Sequence, residues 1–256
     1  MNSMSFKQKL RAGIPQVGIR SQLCNATVVE ALGFCGFDYI YIDMEHSPND
    51  LMSVLQQAHA IAGTKAETVV RIPSNDNVLI QRLLDVGVEN IVVPMVDTPE
   101  EAKQAASAAQ YPPNGIRSRA RVHRGNSYGT DATYESTVDD RICLAVQIES
   151  DAAALRAFEI ASVQGVDAVL FGPADLAADM GHTGNTEHPA VVAAIDDALK
   201  NILKAGKFAG MSTTDPVIAS NWLAKGCHLV SIAGDLQTLV GASRRQLEAT
   251  RQAMKA

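Results

Sequence analysis

The sequence predicts an α/β fold, a single closed (β/α)8 barrel. Three observations carry this. Short apolar runs with period-two alternation take turns with longer runs at helical spacing, the pattern of parallel β/α units. Eight such units can be counted, which favours a closed barrel over an open doubly wound sheet. The 256 residues suit one barrel, and no linker or composition shift divides them. Residues 1–256 are therefore read as one domain.

The elements follow in order. Residues 1–10 read as a ragged arm and a short amphipathic helix. A first strand spans 16–20, and Asn25 caps a helix over 26–32 that closes at Gly33. A second strand, 39–43, leads into Met44-Glu45-His46-Ser47-Pro48 and a helix over 49–62. A third strand, 68–73, is stopped by its proline. A helix over 77–85 ends at Gly87. A fourth strand is 91–94, and Thr98 caps a helix through Gln110. Residues 111–140 then break the pattern with Pro-Pro, Asn-Gly and four arginines. A loop of that length is usually functional or disordered. The fifth strand is 143–149 and the sixth 168–171. A second loop, 180–189, precedes a helix over 190–204. Strand 207–211, helix 216–225, strand 229–232 and a long helix over 236–254 complete the chain.

Composition narrows the class. Charged residues make up 20% and apolar ones 46%, with a net charge of −6. There is no basic block and there are few aromatics, so nucleic-acid binding is not expected. Cys24, Cys35, Cys143 and Cys227 show no metal or disulfide spacing and read as reduced thiols. No run approaches the length of a membrane span, and no signal-peptide core opens the chain, so a cytoplasmic protein is expected.

Chemistry in such a barrel gathers at the C-terminal ends of the strands. In the fifth strand Leu144, Val146 and Ile148 share one face, and Ala145, Gln147 and Glu149 share the other. The sixth strand runs into Gly172-Pro173-Ala174-Asp175, a second carboxylate at a neighbouring strand end. Two such carboxylates repel unless a cation or proton holds them. With oxygen donors only, Mg²⁺ or Mn²⁺ is favoured over Zn²⁺. Arg20, Asp43, Glu45, His46, Arg71 and Ser212 stand at the same mouth. Arg71 needs an anion: Asp43, or a substrate carboxylate or enolate. His46 follows two carboxylates and suits general acid–base work. Amides at the start of the helix after Gly172 offer a rest for a substrate carboxylate. No strand ends in lysine, which argues against Schiff-base chemistry.

Six ordered stretches carry a resemblance over nearly the whole chain: Asp43-Met44-Glu45-His46-Ser47-Pro48-Asn49, Val70-Arg71-Ile72-Pro73, Val93-Pro94-Met95-Val96, Tyr111-Pro112-Pro113-Asn114-Gly115-Ile116-Arg117, Val146-Gln147-Ile148-Glu149 and Phe171-Gly172-Pro173-Ala174-Asp175-Leu176. The chain resembles the HpcH/HpaI family of metal-dependent pyruvate aldolases. That resemblance implies a barrel of the phosphoenolpyruvate/pyruvate type. It implies a divalent metal (Mg²⁺, Mn²⁺ or Co²⁺) on Glu149 and Asp175, a pyruvate-binding Arg71, a catalytic His46 and Gln147 beside the metal. It places the histidine's aspartate partner at Asp85, expected to reach across from a neighbouring subunit. It also implies a final helix exchanged between barrels, in homo-oligomers such as a hexamer built of three dimers. Many members carry an aromatic residue where Arg20 stands and a hydrophobic one where Ser212 stands, so these positions bear on which aldehyde is taken.

The expected activity is reversible cleavage of a 4-hydroxy-2-oxo acid to pyruvate and an aldehyde. His46 would remove the C4 hydroxyl proton, and Arg71 with the metal would stabilise the enolate. Gly172, Pro173, Ala174, Asp175, Ser212 and Arg20 are expected to line the substrate. A citramalyl- or malyl-CoA-type lyase and a non-catalytic binding barrel are the alternatives.

Overall fold

The computed structural model describes residues 4–255. The first three residues of the predicted N-terminal arm lie outside the described residues. Eight parallel strands close in sequence order, with β1 (Gln16–Ser21) pairing both β2 (Tyr39–Asp43) and β8 (Leu229–Gly234). Between them run β3 (Glu67–Arg71), β4 (Asn90–Val93), β5 (Cys143–Ile148), β6 (Ala168–Phe171) and β7 (Phe208–Ser212). The predicted barrel is the observed one.

Period-two alternation sorts the strand residues into two cores. Leu144, Val146 and Ile148 pack outward against the helices with Ile40, Ile42, Val70, Ile91 and Val169. Tyr39, Tyr41, Val69, Val92, Cys143, Ala145, Leu170 and Leu229 fill the barrel interior. Gly18 makes room there, since a Cβ at this position would lie 2.3 Å from the Tyr39 ring. The bottom is plugged by α1 (Phe6–Arg11), whose Phe6 and Leu10 join the interior cluster. Lys7 of the plug is buried, donates to the carbonyls of Asp139 and Ile142, and pairs with Asp167 at 2.8 Å.

The outer layer begins with α2 (Ala26–Phe34), capped by Asn25, and α3 (Leu51–Ile61), capped by Asp50. Next come α4 (Asn77–Asp85) and α5 (Pro99–Ala109), the latter closed by a Thr98–Glu101 capping box. The stretch expected to be a loop over 111–140 is partly helical. It holds a distorted 3₁₀ segment, Arg124–Gly129, and α6 (Tyr134–Arg141). Tyr134 and Val138, four residues apart, are the buried contacts that hold α6. Two short helices, α7 (Asp151–Leu155) and α8 (Ala157–Ala161), follow β5. Then come α9 (Pro173–Asp179), α10 (Pro189–Lys204), α11 (Pro216–Ala224) and α12 (Asp235–Ala253). Asp235 is the one buried residue of α12, and Leu236, Leu239, Val240 and Leu247 are exposed along it. No helix among the described residues is long and apolar enough to cross a membrane.

Candidate active site

A cleft of about 820 Å³ opens at the C-terminal mouth of the barrel. It is lined by Arg20, His46, Arg71, Gln147, Gly172, Pro173, Ala174, Asp175 and Ser212, so nine of the residues singled out in the sequence meet in one place. The inward register of each strand delivers them. Arg20 ends the inward face of β1, Arg71 that of β3, Gln147 that of β5 and Ser212 that of β7.

Arg71 is 2% exposed and held by two carboxylates. Its Nε and Nη2 donate to the two oxygens of Asp43 at 3.0 and 2.7 Å, and Nη1 meets Glu45 Oε2 at 2.8 Å. Asp43 is fully buried and also accepts from the backbone N–H groups of Glu45 and His46. Burial alone would raise the Asp43 carboxyl, but the Arg71 hydrogen bonds and charge outweigh it and hold it below its ordinary value. For Glu45 the balance reverses: burial exceeds the pull of Arg71 and His46 and raises it. The turn is fixed from behind by Asn49, which donates to the Asp43 carbonyl and accepts from Gln57. His46, with its side chain 55% exposed, leans over this pair with Nε2 3.7 Å from Glu45 Oε2.

Glu149 stands just past the end of β5. Its Oε1 accepts from Gln147 Nε2 at 2.6 Å and its Oε2 from the backbone N–H of Met95 at 2.8 Å. Tyr41 donates in turn to Gln147 Oε1, which settles the orientation of that amide. Met95 adopts a left-handed backbone, φ 52°, to present its N–H. Burial first, with Glu45 and Asp175 repelling through space, pushes the Glu149 carboxyl up to about 7.

A divalent cation fits these residues. The donors are all oxygen, and the crowded carboxylates lower their mutual repulsion by sharing a positive charge. Gly172 keeps the space clear: a Cβ there would stand 2.5 Å from Glu149 Oε1 and 2.9 Å from Gln147 Nε2. Among the described residues no three His, Cys, Asp or Glu side chains converge as a complete cage.

Asp85 is not at this mouth. It ends α4 and accepts from Arg117 Nη2 at 2.9 Å, with His123 Nδ1 at 3.9 Å. Arg117 is buried between the rings of Tyr111 and Tyr134. Within one chain the structure thus brings Asp85 to the 111–140 segment rather than to His46. The sequence reading passed over the Met95 N–H and the cleft contributions of Thr213, Ser231 and Gln237. A backbone donor leaves no residue signature, and Thr213 past β7, Ser231 inside β8 and Gln237 on α12 carry no charge to mark them.

The fold and the mouth together define a (β/α)8 enzyme with a carboxylate pair, a clamped arginine and a histidine. Residues 16–242 match the family model described as HpcH/HpaI aldolase/citrate lyase. A pyruvate aldolase of Rhizobium etli is 42% identical, covering 93% of this chain and 94% of its own. A 4-hydroxy-2-oxo-heptane-1,7-dioate aldolase of Klebsiella pneumoniae is also 42% identical, over 92% of this chain and 89% of its own. The crystal structure of an HpcH/HpaI aldolase/citrate lyase family protein from Burkholderia cenocepacia superposes with a TM-score of 0.91 at 34% identity, covering 96% and 98% of the two chains. The chain belongs to the HpcH/HpaI aldolase family. It is a carbon–carbon lyase of the class II aldolase type.

Proposed function

We propose that this aldolase reversibly cleaves a 4-hydroxy-2-oxo acid to pyruvate and an aldehyde, with Glu149 and Asp175 holding Mg²⁺, Mn²⁺ or Co²⁺. The observation that carries the reading is the Arg71 clamp. Two of the five guanidinium N–H groups donate to Asp43 and Nη1 pairs by charge with Glu45, which leaves spare N–H groups in a residue that lines the cleft. A fixed cation with spare donors suits an oxyanion that appears during reaction. The bound cation would supply Lewis-acid polarisation of the 2-oxo group. Arg71 then meets the enolate oxygen as the C3–C4 bond breaks. His46, exposed and beside Glu45, takes the C4 hydroxyl proton. Gln147 fixes the rotamer of Glu149, and Ala174, Pro173 and Gly172 form the adjacent wall.

The chain is read as one domain working in the cytoplasm as a homo-oligomer. The apolar residues left exposed along α12 support an exchange of that helix with a second copy, in a hexamer built of three dimers. In that assembly Asp85 is the group available to a neighbour's His46.

Deuterium exchange at pyruvate C3, followed by NMR with and without Mn²⁺, tests the enolisation half. Release of pyruvate from 4-hydroxy-2-oxo acids, against the corresponding CoA thioesters, tests the cleavage. Full activity in EDTA, or exclusive use of thioesters, overturns the reading.

A further inference from the structure

We propose that Arg20 receives an anionic group on the aldehyde half of the substrate, so that this aldolase prefers an aldehyde carrying a remote carboxylate. The proposal rests on the function above and names its substrate class.

Arg20 is half-buried in the cleft, yet among the described residues it has no acidic partner. Its one polar side-chain contact among them is Ser212 Oγ at 3.4 Å, a long one, and its guanidinium sits 5.9 Å from the centre of the Tyr41 ring. Three other sheltered arginines are paired with acids: Arg71 with Asp43 and Glu45, Arg117 with Asp85, and Arg141 with Glu89 and Asp131. Half-buried Arg124 instead donates to the Val86 carbonyl at 2.7 Å, a short bond of a kind Arg20 does not make. A guanidinium removed from water without a carboxylate is costly, and a cleft that leaves one unpaired is built for an anion.

The barrel order places that anion. Arg20 belongs to β1, which pairs with β8, and β8 pairs with β7, whose last residue is Ser212. Gln147 and Glu149 follow from β5, four strands away around a ring of eight, and Asp175 follows β6. Arg20 and the carboxylates therefore face each other across the mouth. A substrate with its 2-oxo acid end on the carboxylate side extends its other end toward Arg20, Ser212, Thr213 and Gln237. The cleft is large enough for this, since about 820 Å³ falls well inside the range that holds ligands far larger than pyruvate. Pairing there also gives selectivity, because a site built around a buried polar group rejects analogues that leave it unmatched.

The test compares 4-oxobutanoate with 4-methylpentanal, its neutral isostere, as acceptors for pyruvate with Mn²⁺ present. The wild-type enzyme is expected to favour the acid in kcat/KM. Arg20→Gln, which keeps length and polarity, is expected to lower the acid-to-neutral ratio by about 10- to 100-fold, the span of a charged hydrogen bond. Arg20→Lys is expected to recover part of it. A ratio unchanged within about twofold in Arg20→Gln, whether or not both rates fall together, overturns the proposal. Pyruvate C3 exchange by the wild-type enzyme is measured in parallel. Exchange with an unchanged ratio removes the substrate class and leaves the aldolase reading standing, whereas no exchange removes both.

Discussion

Arg71 grips both oxygens of Asp43, through Nε at 3.0 Å and Nη2 at 2.7 Å, and the two side chains are 3% and 0% exposed. Planar two-point pairing sets the guanidinium's angle as well as its charge. Asp43→Ala is therefore expected to cost about 3–5 kcal/mol of stability, the usual loss when one partner of a buried pair is removed. Turnover is expected to fall by about 100-fold or more, because a displaced electrostatic donor costs about that much. Urea denaturation and kcat measured on the same preparation check both. An Asp43→Ala enzyme with native kcat contradicts the clamp.

The glycine at 172 makes a sharper case because only space is at stake. Gly172→Ala puts a methyl 2.5 Å from Glu149 Oε1, and the nearest atoms belong to Glu149 and Gln147, the side chains at the proposed metal site. Weaker Mn²⁺ binding is expected, by about 10-fold or more, as for other losses in a ligand's supporting shell. Titration calorimetry reads it, and unchanged affinity would show that the metal sits elsewhere.

The proposed role of Glu149 and Asp175 as metal ligands ties the acidic pair to chelation. EDTA is expected to abolish pyruvate exchange and added Mn²⁺ to restore it. In Glu149→Gln no amount of Mn²⁺ up to about a hundredfold the wild-type Kd is expected to restore it fully. Equal rescue of variant and wild type would exclude Glu149 as a ligand.

Stability should depend on pH through His228. Burial holds its imidazole below the ordinary value of 6.5, and its Nδ1 accepts from the Ala209 N–H at 3.3 Å. The unfolded chain then binds the proton more readily than the folded one. This stabilisation is complete above 6.5 and is lost as pH falls below it. The denaturation midpoint is expected to drop between about pH 7 and about pH 5.5, and His228→Gln to flatten that part of the curve. An equal slope in the variant assigns the effect to other groups.

The exposed face of α12 predicts an assembly. Replacing Leu239 and Leu247 together with arginine is expected to shift sedimentation toward a smaller species with the barrel intact by circular dichroism. An unchanged species would mean that α12 carries no interface.

The barrel was legible because each strand writes both of its faces into alternate residues: Leu144, Val146 and Ile148 against Ala145, Gln147 and Glu149. The mouth was legible because a charge at the end of an apolar strand has few places to go, as at Arg71. The 111–140 segment was not, because its order comes from Arg117 lying between Tyr111 and Tyr134, with a contact to Tyr134 that spans 17 positions in sequence. Periodicity does not encode such contacts. The sequence also left Arg71 open between Asp43 and a substrate anion. The geometry shows that the first does not exclude the second, since a guanidinium has donors for both.

One polar knot gives α12 its heading. The Asp235 carboxylate accepts from the backbone N–H groups of Gln22, Leu23 and Leu236 and from the Ser21 hydroxyl. The rod beyond it touches little of its own barrel, yet its root is welded to the end of the first strand. Its direction is thus decided at the time of folding, and whatever docks along it is spared the entropic cost of aiming it.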